Sequence, residues 1–245
     1  MTGLIIQARM GSTRLPNKMT LPFYQGQGVF TLLLKKLLTK FNPQQIVLAT
    51  SNRPRDQILI DAASQFEIPH FAGSEKNVLD RFIKAAHHFK FEKIIRICAD
   101  NPFFDIEHLE LFMKEISNND LDYVYYITAN GKPSIKTQLG LFSEAVSLSA
   151  LEKVNVKTDS PLFHEHVTNY IYENPELFRL KPIPLPAYAN KENIRLTLDT
   201  QADYDLEKEI FKIYGKLSSS ELLESISKDT SILQKMRTQI LVNNK

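Results

Sequence analysis

A loop near the start of the chain carries three cations and no acid. Arg9, Arg14 and Lys18 lie within the segment RMGSTRLPNK, directly after an apolar run. Gly11 would let the backbone approach a ligand closely, and Ser12 would add a hydroxyl donor. Because arginine offers a planar fork and lysine a compact charge, the loop suits a polyphosphate. A solvated basic turn is the alternative interpretation, since many surface loops are basic.

Two aspartates follow strand-like apolar runs elsewhere in the chain. Asp100 comes directly after KIIRICA, and Asp199 ends the run IRLTLD. A carboxylate at a sheet edge would be poorly solvated unless it bound a cation, and Mg²⁺ takes one or two protein carboxylates together with phosphate oxygens and water. The two aspartates therefore predict a magnesium site. The alternative is that both cap the helices that follow them, which aspartate does well.

The first 130 residues alternate between strand-like runs and stretches of helical period. Strands are predicted at 4–8, 45–50, 93–99 and 122–127, and helices at 29–41, 55–66, 77–89 and 106–117. This alternation is typical of an α/β fold with a doubly wound, mostly parallel sheet, whose ligands bind beyond the carboxyl ends of the strands. The cationic loop and Asp100 would both lie at that edge.

The second half of the chain has a different pattern. A predicted helix at 160–174 is surrounded by short strand-like segments at 134–142, 178–184 and 193–199. We interpret residues 128–195 as a small inserted sub-domain within a single domain, 1–245. Helical patterns fill residues 201–245.

Composition and charge exclude several classes of protein. Residues 1–55 hold eight Lys or Arg and no acid, while the rest of the 245 residues hold 22 cations and 28 acids. This asymmetry predicts an anion-binding region near the N-terminus and argues against a nucleic-acid partner. The single cysteine, Cys98, leaves no disulfide framework or cysteine metal cluster. Since no apolar run is long enough to span a membrane, we expect a cytoplasmic protein without a membrane partner.

Several common motifs are missing from the sequence or misplaced in it. The cationic loop lacks the G-x-x-x-x-G-K-S/T spacing, and Gly26 and Gly28 have no third glycine partner. His164 and His166 are two residues apart and would lie on different faces of a helix, which disfavours a zinc pair. The acidic triplet DLD at 120–122 resembles that of some glycosyltransferases, but it precedes its strand instead of ending it.

The segment IIQARMGSTRLPNK resembles the opening motif I-x-A-R-x-x-S-x-R-L-P-x-K of the sugar-acid cytidylyltransferases, the family of CMP-acylneuraminate and 3-deoxy-manno-octulosonate synthetases. The likeness is greatest to the spore-coat-polysaccharide branch of that family. It continues in order through GSEKNVLDRF (73–82), IIRICADNPFFD (94–105), HEHVTNYI (164–171) and IRLTLDTQADYD (194–205), and so covers most of the chain. The resemblance implies the fold of the nucleotide-diphospho-sugar transferases.

The resemblance also implies an activity: transfer of CMP from CTP to the hydroxyl of an acidic sugar, with release of pyrophosphate and the help of Mg²⁺, for surface polysaccharide or glycan biosynthesis. Carried over by position, Asp100 and Asp199 would hold the metal, and they would be catalytic together with Arg14 and Lys18. The nucleotide would contact Ala8, Arg9, Gly11, Ser12, Arg14, Lys18, Ser74, Arg81 and Asp100. Three cations without an acid would then neutralise a triphosphate.

The sequence departs from the family pattern on the acceptor side. The branch usually has GLDVEVF where this chain has GLFSEAV (140–146), so Phe142 replaces an aspartate. Asn17 likewise stands where the loop motif usually has glycine. We expect the acceptor to contact Asn101, Gln138, Glu144, His166 and Arg195. Arg195 would supply a cation for the acid group of the sugar.

Two other functions remain open at this point. One is a glycosyltransferase-like enzyme that uses a nucleotide sugar as donor. The other is a non-catalytic nucleotide-binding partner in the same pathway, which the change at Phe142 makes conceivable. Retention of both predicted metal-binding acids favours an enzyme. Relatives in the family also suggest a homodimer formed through residues 128–195.

Overall fold

The computed structural model describes residues 1–118 and 120–243. Within these residues one sheet contains the strands β1 Thr2–Gln7, β2 Ile46–Ser51, β3 His70–Gly73, β4 Lys93–Cys98, β5 Tyr123–Ile127, β6 Glu144–Ser147 and β7 Leu180–Pro184. Their order is β3-β2-β1-β4-β6-β5-β7, and adjacent strands are parallel except where β6 pairs with β4 and with β5. The prediction of a doubly wound, mostly parallel sheet is confirmed.

Helices cover the sheet on both faces. They are α1 Val29–Leu37, α2 Gln57–Ser64, α3 Val78–His88, α4 Leu109–Asn118, α5 Leu148–Lys157, α6 Pro161–Glu165, α7 Asn169–Glu173, α8 Gln201–Tyr214, α9 Ser219–Lys228 and α10 Thr230–Val242. The buried apolar side chains of α1, α2, α4, α8, α9 and α10 belong to one apolar cluster, and those of α3, α5 and α7 belong to the other. In the part of the chain that the structure describes, no helix combines the length and the hydropathy needed to cross a membrane.

Strand β1 lies between β2 and β4 in the interior of the sheet, and its apolar residues are covered on both faces. Leu4, Ile5 and Ile6 are fully buried, as expected for a strand between two helical layers. Ile6 is in register with Leu48 of β2 and with Ile97 of β4. The carboxyl ends of these three strands therefore lie side by side, which brings the loop after β1 next to the residues that follow β4.

The region 128–195 does not have the predicted internal arrangement. The predicted helix at 160–174 is interrupted between α6 and α7, where the buried Val167 has a φ of 48° that no regular helix accommodates. The segments 134–142 and 193–199 lie outside the named strands. The strands β6 and β7 of this region join the main sheet, and its buried side chains join the same two apolar clusters as the rest of the fold.

The C-terminal helices agree with the sequence. Helix α8 ends at Tyr214, directly before Gly215, and α9 begins after Ser218, whose hydroxyl and backbone form a capping box with Glu221. The predicted helical region extended to 245, and its last two residues lie outside the described residues.

Candidate functional site

A cavity of about 820 Å³ lies at the carboxyl ends of β1 and β4. Its floor includes Gln7 from β1 and Arg96 from β4. One wall is the segment 132–142 between β5 and β6, and another comes from the α6–α7 region. Asp100 and Asp199 both line this cavity, so the fold brings together two residues that lie 99 positions apart in the sequence.

Lys18 lies between the two aspartates. Its ammonium is 2.7 Å from Asp100 Oδ2 and 3.8 Å from Asp199 Oδ1, and it also donates to the Leu198 carbonyl at 3.0 Å. Burial alone would lower the pKa of Lys18, but the charges of Asp100 and Asp199 outweigh it and raise the pKa. The cationic loop thus delivers a protonated lysine to both predicted metal-binding acids.

Arg14 reaches the same group of charges from solvent. Its Nη2 is 3.1 Å from Asp199 Oδ1, and its Nη1 donates to Asn243 Oδ1 at 3.3 Å, beyond the end of α10. The loop turns between Arg14 and Lys18 at Asn17, whose φ is 59°. Asparagine tolerates this left-handed conformation better than most residues, which explains how it replaces the glycine of the family motif.

The donor chemistry of this site fits a magnesium ion. Among the described residues no group of three or more His, Cys, Asp or Glu side chains could hold a metal ion by itself. Asp100 and Asp199 would supply two carboxylates, and Mg²⁺ usually takes one or two from the protein and the rest of its ligands from phosphate and water. In this structure the Lys18 ammonium is the positive charge that lies between the two carboxylates.

Arg195 lies behind the cavity wall and does not line the cavity. The prediction that it contacts the acceptor disagrees with this position, because its guanidinium is buried against carboxylates of the protein. Both oxygens of Asp203 accept from it at 2.7 Å, and Asp199 Oδ2 accepts at 3.3 Å. Gln138, another predicted acceptor contact, accepts from Arg195 Nη1 at 2.5 Å and also lies outside the lining. Arg195 therefore supports Asp199, and Gln138 supports Arg195.

Glu144, also predicted to contact the acceptor, does not line the cavity, because its carboxylate is turned to partners within the protein. Its carboxylate is 2.5 Å from Arg96 Nη1 and accepts from Thr168 Oγ1 at 2.7 Å and from the Tyr123 hydroxyl. The residue is 1% exposed. A buried acid with this many donors holds its partners in place, so the structure puts Arg96, and not Glu144, at the cavity surface.

Some of the predicted nucleotide contacts shape the cationic loop, and others belong to neighbouring segments. Ala8 and Ser12 shape the loop, since Ala8 N–H donates to Ala49 and Ser12 Oγ accepts from Leu15 N–H. Gly11 lies against side chains of the β2–α2 and β3–α3 connections. Arg81 is fully buried and donates to the Ser74 carbonyl at 2.7 Å.

Arg9 connects this part of the loop to the second half of the chain. Its Nη2 is 3.1 Å from Glu165 Oε1, and its Nη1 donates to the Glu75 carbonyl at 3.4 Å. Burial and the charge of Arg9 lower the pKa of Arg81 to about 10, so Arg81 is still protonated at neutral pH. Arg9, Ser74 and Arg81, three of the predicted nucleotide contacts, therefore lie together.

Asn101 and His166, two of the residues predicted to contact the acceptor, line the cavity. Other polar residues that line the cavity were not predicted from the sequence: Gln7, Arg96, Lys132, Ser134, Lys136, Thr137, Asn169, Tyr172 and Thr197. Thr197 has a buried hydroxyl without a partner among the described residues. Thr197 stands two residues before Asp199 in the polar phase of IRLTLD, and this shared phase was the signal in the sequence that both side chains point to the same side.

Phe142 lines the cavity where the family pattern has an aspartate. Its ring packs edge-on against His108 with centroids 5.2 Å apart and lies 4.8 Å from Tyr126. The residue is 7% exposed. The wall at this point is therefore an aromatic cluster instead of a charged group.

Comparisons with known proteins cover nearly the whole chain. The cytidylyltransferase family model matches residues 4–243. The spore coat polysaccharide biosynthesis protein SpsF of Bacillus subtilis is 33% identical over 232 residues, which are 92% of this chain and 93% of that protein.

The chain is also similar to solved structures. A cytidylyltransferase from Leptospira borgpetersenii serovar Hardjo-bovis has a TM-score of 0.84 and 29% identity, with 95% of this chain and 96% of that chain covered. The CMP:2-keto-3-deoxy-manno-octonic acid synthetase complexed with CTP has a TM-score of 0.62 and 15% identity, with 86% and 98% covered, which shows a shared fold. The chain belongs to the cytidylyltransferase family and is a nucleotidyltransferase by that membership.

Proposed function

We propose that the protein transfers CMP from CTP to the hydroxyl of an acidic sugar, with release of pyrophosphate, in surface polysaccharide or glycan biosynthesis. The observation that carries the proposal is the Lys18 ammonium held between Asp100 and Asp199 at a cavity of a size typical for small ligands. The polysaccharide role of the B. subtilis relative and the CTP-bound sugar-acid synthetase support the choice of substrates.

The cationic loop would bind the triphosphate. Arg14 and Lys18 pair with Asp199 through contacts of 3.1 Å and 3.8 Å, and a polyphosphate would compete for both side chains. As they turn to the phosphates, the two carboxylates would become available to a divalent cation. Mg²⁺ held by Asp100 and Asp199 would neutralise charge on the α-phosphate and polarise it.

The transfer itself would be a direct in-line displacement. The acceptor oxygen would form a bond to the α-phosphorus while the bond to the pyrophosphate oxygen breaks, and the hydroxyl proton would pass to solvent. Such a step depends on positioning and charge stabilisation more than on covalent chemistry. Lys18 and Arg14 would stabilise the negative charge of the leaving pyrophosphate.

The cavity beside the aspartates would receive the acidic sugar. Lys132 and Lys136 line it and supply cations for a carboxylate, a role that Arg195 cannot fill from behind the wall. Thr197 and His166 offer polar groups for sugar hydroxyls. Sugars present many hydroxyls and need several such partners, because each unpaired polar group lowers affinity.

Pyrophosphate release tests the proposal directly. The protein is incubated with Mg²⁺, one of the four nucleoside triphosphates and a panel of sugar acids, and products are identified by mass spectrometry. We expect release only with CTP and a sugar acid, together with a CMP-sugar product. Hydrolysis of nucleotide sugars supplied in a parallel incubation would favour the glycosyltransferase alternative, and nucleotide binding without turnover would favour the non-catalytic one.

We further propose a homodimer formed through residues 128–195 and a cytoplasmic location. Two apolar side chains of this region, Val156 and Leu162, are 84% and 54% exposed, which supports an interface there. Light scattering of the protein and of a variant with Val156→Asp and Leu162→Asp measures the oligomeric state. A monomeric mass for the unmodified protein would contradict the dimer.

A further inference from the structure

Two arginines that follow β2 converge on one carboxylate that follows β3. Arg53 Nε is 2.9 Å from Glu75 Oε2, and Arg55 Nη2 pairs with Glu75 Oε1. The arginine side chains are 56% and 54% exposed, whereas that of Glu75 is 16% exposed. Half-exposed ion pairs contribute little to stability and are readily exchanged for another partner.

This ion-pair group lies directly against the cationic loop. A Cβ atom at Gly11 would come within 2.6 Å of Arg55 Nη2 and 2.8 Å of Glu75 Oε1. Arg9 donates to the Glu75 backbone carbonyl at 3.4 Å. The ends of the Arg55 and Glu75 side chains therefore lie directly beside the Gly11 backbone, and the ion-pair group is within reach of an anion bound on the loop.

The region around Arg53 and Arg55 contains more guanidinium groups than carboxylates that pair with them. Arg81, which is fully buried nearby, has no partner for its Nε and Nη2 among the described residues. The carboxylate of Asp56 is occupied by backbone and hydroxyl donors of the loop and of β2. Arg9, Arg53 and Arg55 have as ion-pair partners only Glu75 and Glu165 in the described part of the chain. An additional anion would satisfy this excess of guanidinium groups.

We propose that Arg53 and Arg55 bind the terminal phosphates of the nucleoside triphosphate, and that Glu75 holds them in position until the nucleotide arrives. This inference rests on the proposed function, since it takes the cationic loop as the phosphate site. Guanidinium forks suit phosphate oxygens, and each arginine exchanges a carboxylate for a phosphate. The two arginines then distinguish the triphosphate from a nucleoside monophosphate, which lacks the groups they bind.

Calorimetric titration of the acceptor-free protein with CTP, CMP, ATP and AMP tests the assignment. For the double variant Arg53→Gln, Arg55→Gln we expect the dissociation constant for CTP to rise by about 30-fold or more, while that for CMP changes less than about twofold. The control is Arg179→Gln, because Arg179 is 53% exposed and pairs with Asp120 and Asp122 at the opposite edge of the sheet. It should leave both constants unchanged.

The variant Glu75→Gln separates phosphate binding from a structural role. If the arginines bind phosphate, loss of the competing carboxylate leaves CTP affinity equal or higher. If the group only braces the loop, Glu75→Gln weakens CTP and CMP binding together, as the double variant would, and the inference is overturned.

The outcomes also separate this inference from the proposed function. Should the unmodified protein bind ATP as tightly as CTP, the cytidylyl assignment fails, and the arginines are judged by the ratio of ATP to AMP binding instead. Equal effects of the double variant on triphosphate and monophosphate would overturn the inference alone. Absence of any triphosphate binding would overturn both.

Discussion

Lys18 determines how the two aspartates are arranged in the ligand-free protein. The residue is only 8% exposed, and a cation at that depth requires a partner. Asp100 and Asp199 supply it and raise the pKa of Lys18 above its ordinary value of 10.5. Because the folded-state pKa is the higher one, this stabilisation is fully present below the unfolded-state pKa and is lost as the pH rises through the folded value. The arrangement is therefore intact at physiological pH.

The variant Asp100→Asn tests the metal role of that residue. We expect turnover with Mg²⁺ and CTP to fall by about 100-fold or more, because one of two metal ligands loses its charge. In buffer without divalent cations the affinity for CTP should stay the same or rise, since Lys18 loses its 2.7 Å partner and is free to bind phosphate. Steady-state kinetics and calorimetry measure the two effects.

A matched control for this variant is Asp80→Asn. Asp80 has a similarly exposed side chain, 29% against 31%, and pairs with Lys84 at 2.9 Å, away from the cavity. It should change neither turnover nor CTP affinity. Unchanged turnover in the Asp100 variant would contradict the metal role.

Single residues were predictable where their position in the sequence fixed their place in the fold. Asp100 directly follows a buried strand, so its place at the sheet edge follows from the sheet alone. The position of Arg195 could not be read in this way. Its partner Asp203 belongs to α8, and the chain between them must fold back before the two meet. Residue type alone suggested a ligand contact where the structure has a support for Asp199.

At the scale of elements, the segment between β5 and β6 forms one wall of the cavity without being a strand. Gly140 has a φ of 65°, and a Cβ atom there would come within 2.3 Å of the Leu196 carbonyl. Leu196 N–H donates to the Gln138 carbonyl at 2.9 Å, and Asp105 N–H donates to the Leu141 carbonyl at 2.8 Å. These backbone hydrogen bonds to two other segments hold the wall in place, and Phe142 is fixed with it.

The variant Phe142→Leu tests whether this wall contacts the acceptor. Loss of the ring that packs on His108 and Tyr126 should raise the Michaelis constant for the sugar acid by about tenfold, because the aromatic surface beside the substrate is lost. The constant for CTP should change less than twofold. Initial-rate measurements with each substrate varied in turn give both values.

The control for this variant is Phe112→Leu. Phe112 packs 4.8 Å from the same Tyr126 ring, is 1% exposed and does not line the cavity. It loses comparable packing, so its melting temperature should fall at least as far, while both Michaelis constants stay near those of the unmodified protein. A parallel rise of the acceptor constant in both variants would mean that the effect comes from loosened packing.

Elements were predictable where burial on both faces gives a long apolar run. The strands β1, β2, β4 and β5 lie within two residues of their predicted bounds. Strand β3 was missed because His70–Gly73 is four residues long, and its side chains are exposed or half-buried. A strand at the edge of a sheet needs no apolar run, so its sequence resembles a loop.

At the scale of the whole molecule, most cations of the basic N-terminal region form ion pairs with acids that are distant in the sequence. Of the eight cations in residues 1–55, six form ion pairs with acids between 75 and 199: Arg9, Arg14, Lys18, Lys40, Arg53 and Arg55. The sequence indicated an anion-binding region. It could not show that the protein's own carboxylates occupy those cations, because each pairing depends on the complete fold.

One buried acid has no such partner. Glu207 of α8 is 1% exposed, and neither of its carboxylate oxygens has a hydrogen-bond partner among the described residues. Burial and the charge of Asp203 raise the pKa of Glu207 well above its ordinary value. The folded protein therefore keeps this group protonated under conditions in which the unfolded chain releases the proton.

This difference predicts a pH dependence of global stability. An acid whose pKa is raised by folding stabilises the protein fully below the unfolded-state pKa, and that stabilisation is lost as the pH rises towards the folded-state value. Glu207→Gln removes the titration while keeping the shape of the protonated side chain. The melting temperature of the variant should match that of the unmodified protein near pH 4, and above about pH 5 it should exceed it by about 3 °C more for each pH unit up to pH 7. Calorimetric scans across this range measure the difference, and Glu209→Gln on the exposed face of the same helix should show none of it. A difference for Glu207→Gln that stays constant with pH would mean that Glu207 is ionised in the folded protein, with the assigned protonation state wrong.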